Sequence, residues 1–349
     1  MPDTFTLAVD AMGGDRAPEI VIAGLNIAAE RHPGARFLLI GDEAQISPLL
    51  ARYKRAAAAS TLRHTPDTIP GDMKPTQALR VRRASMRLAI DAVAAKEAHG
   101  VVSAGNTGAL LALAKIVMKG LPGIDRPAMA GIAPSARGDL VMLDLGANVQ
   151  CDVRNLVEFA VMGDVFARTV LGLTAPTIGL LNVGSEELKG DDRVRQAAEV
   201  LRESYIGPQF YGFVEGHDIT AGTTDVVVTD GFTGNVALKT GEGALKLVRD
   251  LLKQVFSASL SAKIGYLLAK PALERLREWL DPRRYNGAVF LGLNGVVVKS
   301  HGGTDAQGFA HAVDVAMDMV THRFNDRIRE GLAGIVWPGN GPARLAVAQ

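Results

Sequence analysis

Four short stretches hold residue types that can bind an anion. Ser103-Ala104-Gly105-Asn106-Thr107-Gly108 lies between the apolar pair Val101-Val102 and an amphipathic pattern running to Lys119. Bare N–H groups at a helix start, together with the helix dipole, favour phosphate. Asn106 and Thr107 add side-chain donors. Asp230-Gly231-Phe232-Thr233-Gly234-Asn235 closes a second apolar run and enters a helix holding Lys239. Leu181 to Gly190 places Lys189 on a turn bounded by Gly184 and Gly190, and Val296-Val297-Val298 leads into Lys299-Ser300-His301-Gly302-Gly303. Each lysine taken singly is equally a solvated surface residue, and many strand-to-helix turns look like the first stretch. As a set, Gly N–H groups, Asn, Lys and His suit holding an anion and stabilising a developing oxyanion.

Other chemistries lack their patterns. The NTPase phosphate loop is absent, and no GxGxxG turn follows the first strand. The seven His residues form no HExxH and no close pair on a helix face, so His-based metal catalysis is disfavoured. There is no GxSxG elbow. Cys151 follows Gly146-Ala147-Asn148 near a helix start, a setting that can lower a thiol pKa; a small buried residue is the expected role. Neither metal nor organic cofactor is expected.

These stretches need elements to position them. Phe5–Val9, Arg36–Ile40, Val101-Val102, Leu140–Leu145, Thr177–Leu181, Phe210–Val214 and Asp225–Thr229 read as strands. Helical patterns alternate with them, including Pro18–Arg31 and Leu79–Ala98. That alternation predicts α/β layers around a largely parallel sheet, with the ligand site beyond the carboxyl ends of the strands. Glycine, 38 of 349 residues, exceeds the usual ~7% and clusters at those ends. From Gly243 the pattern changes to a helix, a break at Ser257–Ser261, a shorter helix ending at Pro271, and a third over Ala272–Leu280. Lys246, Arg249, Lys253, Lys263 and Lys270 face one acid, Asp250, so five cations less one acid give a net of +4. The organisation expected is an α/β catalytic domain over 1–242 and 282–330, an amphipathic helical insertion over 243–281, and a C-terminal tail over 331–349.

Composition sets the bounds. At ~150 residues per domain the length suggests two domains or one large one. Lys plus Arg number 38 and Asp plus Glu 37, which argues against a nucleic-acid partner. One Cys excludes an internal disulfide and fits a reducing compartment. Met1–Met12, carrying Asp3 and Asp10, does not read as a signal peptide, and no run reaches ~18 apolar residues. The cytoplasm is the default location.

The chain resembles the phosphate acyltransferase family, the acyl-carrier-protein:phosphate transacylases of bacterial phospholipid synthesis. The matching stretches are Asp10-Ala11-Met12-Gly13-Gly14-Asp15, Ser103 to Gly108, Leu145-Gly146-Ala147-Asn148, Leu181 to Gly190, Val226 to Lys239, and Leu291-Gly292-Leu293-Asn294-Gly295 through His301-Gly302. They run in order over residues 5–325. Gln150 stands where many members carry an acid, and Ile335–Gln349 lies outside the stretches that carry the resemblance.

The resemblance implies reversible conversion of acyl-ACP and phosphate into acyl-phosphate and free ACP. The acyl-phosphate feeds a membrane acyltransferase. It also implies a fold similar to isocitrate and isopropylmalate dehydrogenases and phosphotransacetylases, a homodimer with its cleft near the dimer interface, and peripheral membrane association. Phosphate dianion is a competent nucleophile, and a thiolate is a fair leaving group at a thiol pKa of ~8.5. Direct phosphate attack, with no acyl-enzyme, follows from the missing Ser or Cys nucleophile pattern. The roles expected are a phosphate cradle at Ser103, Gly105, Asn106, Thr107 and Gly108, countercharge from Lys189 and Lys299, His301 as proton or oxyanion donor, and Asn235 as oxyanion donor. Asp10, Asp144, Asn148 and Asp230 are expected to orient these groups. Arg80, Arg82, Arg83 and Arg87, with Lys74, form either a dock for acidic ACP or a solvated helix face. Leu251, Leu252, Val255, Phe256, Leu260, Leu267 and Leu268, with Lys253 and Lys263, either dip into an anionic membrane surface or pack on protein. Alternatives are an acyl-CoA transferase of the same fold, a decarboxylating dehydrogenase, and a non-catalytic lipid-binding scaffold.

Overall fold

Runs of Val, Leu, Ile and Phe become strands buried on both faces, as parallel strands covered by helices must be. Amphipathic stretches between them become the covering helices. The structure, a computed structural model, describes residues 5–279, 281, 283–335 and 337. The first half of the chain runs β1 (Phe5–Asp10), α1 (Glu19–Arg31), β2 (Ala35–Gly41), α2 (Glu43–Arg52), α3 (Lys54–Ala59), β3 (Ser60–His64), α4 (Pro75–Ala78), α5 (Ser85–Ala94), β4 (Gly100–Ser103) and α6 (Thr107–Met118). The middle continues with β5 (Ala128–Ser135), β6 (Gly138–Leu143), α7 (Val153–Val170), β7 (Ile178–Leu181), α8 (Asp192–Arg202), β8 (Phe210–Val214), α9 (Gly216–Ala221) and β9 (Val226–Val228). The remainder is α10 (Gly231–Ser257), α11 (Leu260–Trp279), β10 (Ala288–Leu291), β11 (Val296–Lys299), α12 (Ala306–Thr321) and α13 (Phe324–Ala333).

The strands form one sheet, ordered β3-β2-β1-β4-β11-β10-β5-β6-β9-β7-β8. It is largely parallel. The exceptions are the antiparallel pairs β11/β10, β10/β5 and β5/β6 in its middle. Those three reversals leave β6, β9, β7 and β8 running opposite to β1, β2, β3, β4 and β11. The carboxyl ends of the two halves therefore face opposite edges of the sheet. α1, α12 and α7 cover it with fully buried Leu25, Phe309, Phe159 and Phe166.

Several expectations need correction. The helix expected over Leu79–Ala98 is α5 alone. Residues 79–84 instead make tight turns, with Ala84 N–H donating to Val81 O, and Ser85 N–H leaves the helix for Asp67 O. The helix entered at Asp230–Asn235, capped where Asp230 accepts Thr233 N–H, and the helix expected from Gly243 are one continuous helix, α10. Pro271 does not end α11, which continues to Trp279, so no separate helix starts at Ala272. A helix can carry an internal Pro at the loss of one backbone bond. The break before Leu260 falls where it was expected. Leu280 and most of the 331–349 tail lie outside the described residues, although α13 extends to Ala333.

α10 and α11 form a helical hairpin. Phe256 and Tyr266 meet edge to face at 5.5 Å between the two helices. Between Gly241 and Lys270 only Phe256, Ala262, Gly265 and Ala269 are less than exposed. Leu260, Leu267 and Leu268 are 76%, 69% and 79% exposed, so the described residues of the same chain do not cover them. Among the described residues no helix is long and apolar enough to cross a membrane.

Candidate functional site

β1, β4 and β11 are adjacent, and their carboxyl ends bring together the first group of candidate residues. α6 starts directly after β4, so its first-turn N–H groups have no intrahelical acceptor. Asn106 is its N-cap. Its Oδ1 accepts Ala109 N–H at 2.9 Å, while its Nδ2 donates to Gly71 O at 2.7 Å and Met73 O at 3.0 Å. Ser103 is buried; its hydroxyl donates to Asp10 Oδ2 at 2.6 Å and accepts Gly105 N–H at 3.1 Å. The Asn106 amide and the Gly105 N–H, both expected to face phosphate, are thus engaged within the protein. The N–H groups of Thr107 and Gly108 and the Thr107 hydroxyl have no partner among the described residues, and both residues are exposed. They are the donors this turn leaves for an anion.

Beneath the turn lies Lys299, at the end of β11 and only 7% exposed. Its Nζ donates to Ala104 O at 3.4 Å and to Ser300 O. Burial pushes its pKa down to about 8, against the opposing pull of Asp10 and Asp15. Asp10 is buried too. Its carboxylate accepts Ser85 and Ser103 hydroxyls, each at 2.6 Å, and burial raises its pKa above the ordinary value despite those bonds. Gly13 fits here because a Cβ would sit 2.5 Å from Asp10 Oδ2 and 2.6 Å from Gly105 N. His301 is exposed. Asn286 Oδ1 accepts its backbone N–H at 2.7 Å, and its Nδ1 accepts Gly303 N–H at 3.1 Å. An accepting Nδ1 puts the proton of the neutral ring on Nε2, which makes that nitrogen a donor.

The rim of this group is basic. Pro75 lies against Gly108, so Lys74 and α4 border the opening turn of α6. Arg80, Arg82 and Arg83 are exposed and have no carboxylate partner among the described residues. Arg87 differs from them, pairing with Asp91 at 2.8 Å.

The second group lies at the ends of β6, β9 and β7. Asp144 is buried, and burial raises its pKa. Its Oδ1 accepts the N–H groups of Met129, Gly146 and Ala147, and its Oδ2 accepts the backbone and side-chain N–H groups of Asn148 at 2.7 and 2.8 Å. This carboxylate shapes the turn that carries Asn148. Asn148 O in turn accepts Gly231 N–H at 2.7 Å, at the start of α10. A Cβ on Gly234 would stand 1.9 Å from Asp144 O, so only glycine lets the backbones touch here. Asn235 follows, exposed, beside Gly146, with no hydrogen bond from its side chain among the described residues. Lys189 is 55% exposed, with Nζ 3.6 Å from Glu186, and Asn182 Nδ2 donates to its carbonyl at 3.0 Å. Arg193 ties this loop to the other, donating to Cys151 O at 2.8 Å while pairing with Asp191. Cys151 is buried. Burial and the nearby Asp144 and Asp230 charges push its thiol up to about 12.

The structure therefore gathers Asp10, Ser103–Gly108, Lys299 and His301 at one edge of the sheet. It gathers Asp144, Asn148, Asp230, Asn235 and Lys189 at the other. No hydrogen bond or ion pair joins the two groups among the described residues. Sequence reasoning missed Ser85, Asn286 and Arg193, whose partners lie 75, 15 and 42 positions away. Among the described residues no three His, Cys, Asp or Glu side chains converge as a metal site.

A family model described as "Fatty acid synthesis protein" matches residues 5–327. A phosphate acyltransferase of Granulibacter bethesdensis is 72% identical over 334 residues, covering 96% of this chain and 91% of its own length. One from Gluconacetobacter diazotrophicus is 74% identical over 331 residues, covering 95% and 88%. Among solved structures, a phosphotransacetylase from Streptococcus pyogenes superposes with a TM-score of 0.62 at 17% identity, covering 92% of this chain and 95% of that one. A second, from Staphylococcus aureus, gives 0.58 at 16% identity, covering 91% and 94%. At those identities the likeness is one of fold.

Proposed function

This chain belongs to the phosphate acyltransferase family and transfers acyl groups between acyl-ACP and phosphate, and we propose that phosphate attacks the thioester directly from the opening turn of α6. The observation that carries this is the pair of open N–H donors at Thr107 and Gly108, with the buried cation Lys299 beneath them. The dianion needs no general base, and the leaving thiolate needs little proton help, so catalysis reduces to holding the dianion against the carbonyl and stabilising the oxyanion. Thr107 and Gly108 supply N–H groups, Lys299 the countercharge, and His301 Nε2–H a donor to the oxyanion or departing thiolate. Asp10 holds the loop and stays back from the phosphate. No acyl-enzyme forms, since Cys151, the one thiol, is buried and holds its proton.

Lys189 and Asn235 polarise the thioester carbonyl in this reading. Because they belong to the opposite edge of the sheet, a second copy of the chain completes the centre, in keeping with the homodimer the family resemblance implies. The reversed middle strands also suit the finer likeness to isocitrate and isopropylmalate dehydrogenases. Acidic ACP docks on Lys74, Arg80, Arg82 and Arg83, beside the phosphate turn. The α10–α11 hairpin, which grows directly out of the Asn235 turn, lays its exposed leucines and lysines on an anionic membrane, where a membrane acyltransferase collects the acyl-phosphate.

Co-expression of Lys299→Met and Lys189→Ala chains tests the shared centre. Random C2 assembly makes half of the dimers mixed with one intact centre each, so about a quarter of wild-type activity is expected. Activity no greater than that of the two separate variants would place the centre within one chain.

A further inference from the structure

We propose that Ser85 is a positioning residue for phosphate, acting through Asp10 and Ser103 on the loop that opens α6. Ser85 is 1% exposed and begins α5. Its hydroxyl donates to Asp10 Oδ1 at 2.6 Å while the Ser103 hydroxyl donates to Oδ2 at the same distance. Asp10 has no basic group within ion-pair distance among the described residues, and the Lys299 charge acts on it only from farther off. A buried carboxylate without an ion pair depends on hydrogen bonds for its place. Two hydroxyls and the Met12 N–H, at 3.3 Å, supply them.

The linkage beyond Asp10 has little slack. Ser103 accepts Gly105 N–H, two residues before the open N–H of Thr107. Gly13 packs against both, since a Cβ on it would stand 2.5 Å from Asp10 Oδ2 and 2.6 Å from Gly105 N. A carboxylate that turns therefore pulls on Gly105 through the Ser103 hydroxyl. Ser85 is itself held from behind, its N–H donating to Asp67 O at 3.0 Å and the Thr65 hydroxyl to Arg83 O at 2.6 Å. Loss of the Ser85 hydroxyl leaves Asp10 Oδ1 only the longer bond from Met12 N–H, so the carboxylate swings toward Lys299 and takes Ser103 with it.

This inference rests on the α6 turn holding phosphate, and the experiment separates the two. Phosphate-dependent release of ACP from acyl-ACP is measured on full-length Ser85→Ala, Ser103→Ala, the double variant and Thr107→Pro, with unfolding midpoints alongside. Ser85→Ala is expected to raise phosphate KM about tenfold, with kcat and the acyl-ACP KM within about twofold. The double variant is expected to stay within about twofold of Ser103→Ala, because both hydroxyls act through one carboxylate. Ser85→Thr, which keeps the hydroxyl, restores phosphate KM. If Ser85→Ala does not fold, Ser85→Cys, a weaker donor of similar size, is expected to raise phosphate KM about threefold. A raised KM in Thr107→Pro with none in the Ser85 variants would overturn the Ser85 assignment. So would a double variant whose effects multiply. An unchanged KM in Thr107→Pro would remove the phosphate turn itself, and Ser85 with it.

Discussion

Thr107→Pro removes two hydrogen-bond donors from the phosphate turn, the N–H and the hydroxyl, and leaves the fold the means to tolerate it. Thr107 is the first residue of α6, where proline's fixed φ suits the helix and its missing N–H costs no backbone bond. Asn106 before it already has φ −58° and ψ 121°, the extended backbone that proline requires of its neighbour. A hydrogen bond to a charged acceptor contributes about 1.5–3 kcal/mol net, so phosphate KM should rise about 10- to 150-fold. If the N–H grips phosphate equally before and during attack, kcat stays near wild type. Thr107→Ala keeps the N–H and loses only the hydroxyl, so its phosphate KM should stay well below that of Thr107→Pro. Initial rates of ACP release against phosphate concentration compare the two. Equal phosphate KM values for Thr107→Pro and Thr107→Ala, with both proteins folded, would refute phosphate binding by the Thr107 N–H.

Lys299 gives a pH test. Its folded pKa, about 8, lies below the ordinary 10.5, so the unfolded chain holds more protons between those values and stability rises with pH across that window. Lys299→Met is expected to stabilise the protein at pH 7, with the gain shrinking as pH climbs past 8, read by urea unfolding. Wild-type phosphate KM should climb as Lys299 loses its proton above pH 8, while the Met variant stays weak and flat; a flat wild-type profile speaks against the countercharge. Cys151→Ala should keep kcat within about twofold, since the buried thiol cannot serve as nucleophile; an inactive but folded variant would count against direct attack. Leu251→Glu with Leu252→Glu should abolish co-sedimentation with vesicles containing anionic lipid, and unchanged sedimentation would reject the hairpin as the contact.

Much of the fold was legible because local pattern and tertiary environment agree. Phe210–Val214 reads as a strand and is one. β5 was not legible: Ala-Met-Ala-Gly-Ile-Ala-Pro-Ser carries weak strand propensity, and its pairing with β6 and β10 is set by distant partners. With β5 and β10 unseen, the reversal of strand direction was unseen too, and so was the division of the candidate residues between two edges. The continuity of α10 was hidden by Gly241 and Gly243, which local propensity counts against a helix. At the site, Asn106 at a strand-to-helix turn is a readable cap. Its second commitment, to carbonyls at Gly71 and Met73, depends on a loop folded back from more than thirty residues away, which no spacing announces.

The most direct test of phosphate attack without an acyl-enzyme is the time course of ACP release from acyl-ACP at enzyme concentrations comparable to substrate, with and without phosphate. Direct attack gives no ACP release and no acylated protein until phosphate is added, then acyl-phosphate and ACP in equal amounts. A burst of ACP matching the enzyme concentration before phosphate is present, with an acyl group found on the protein, would contradict it.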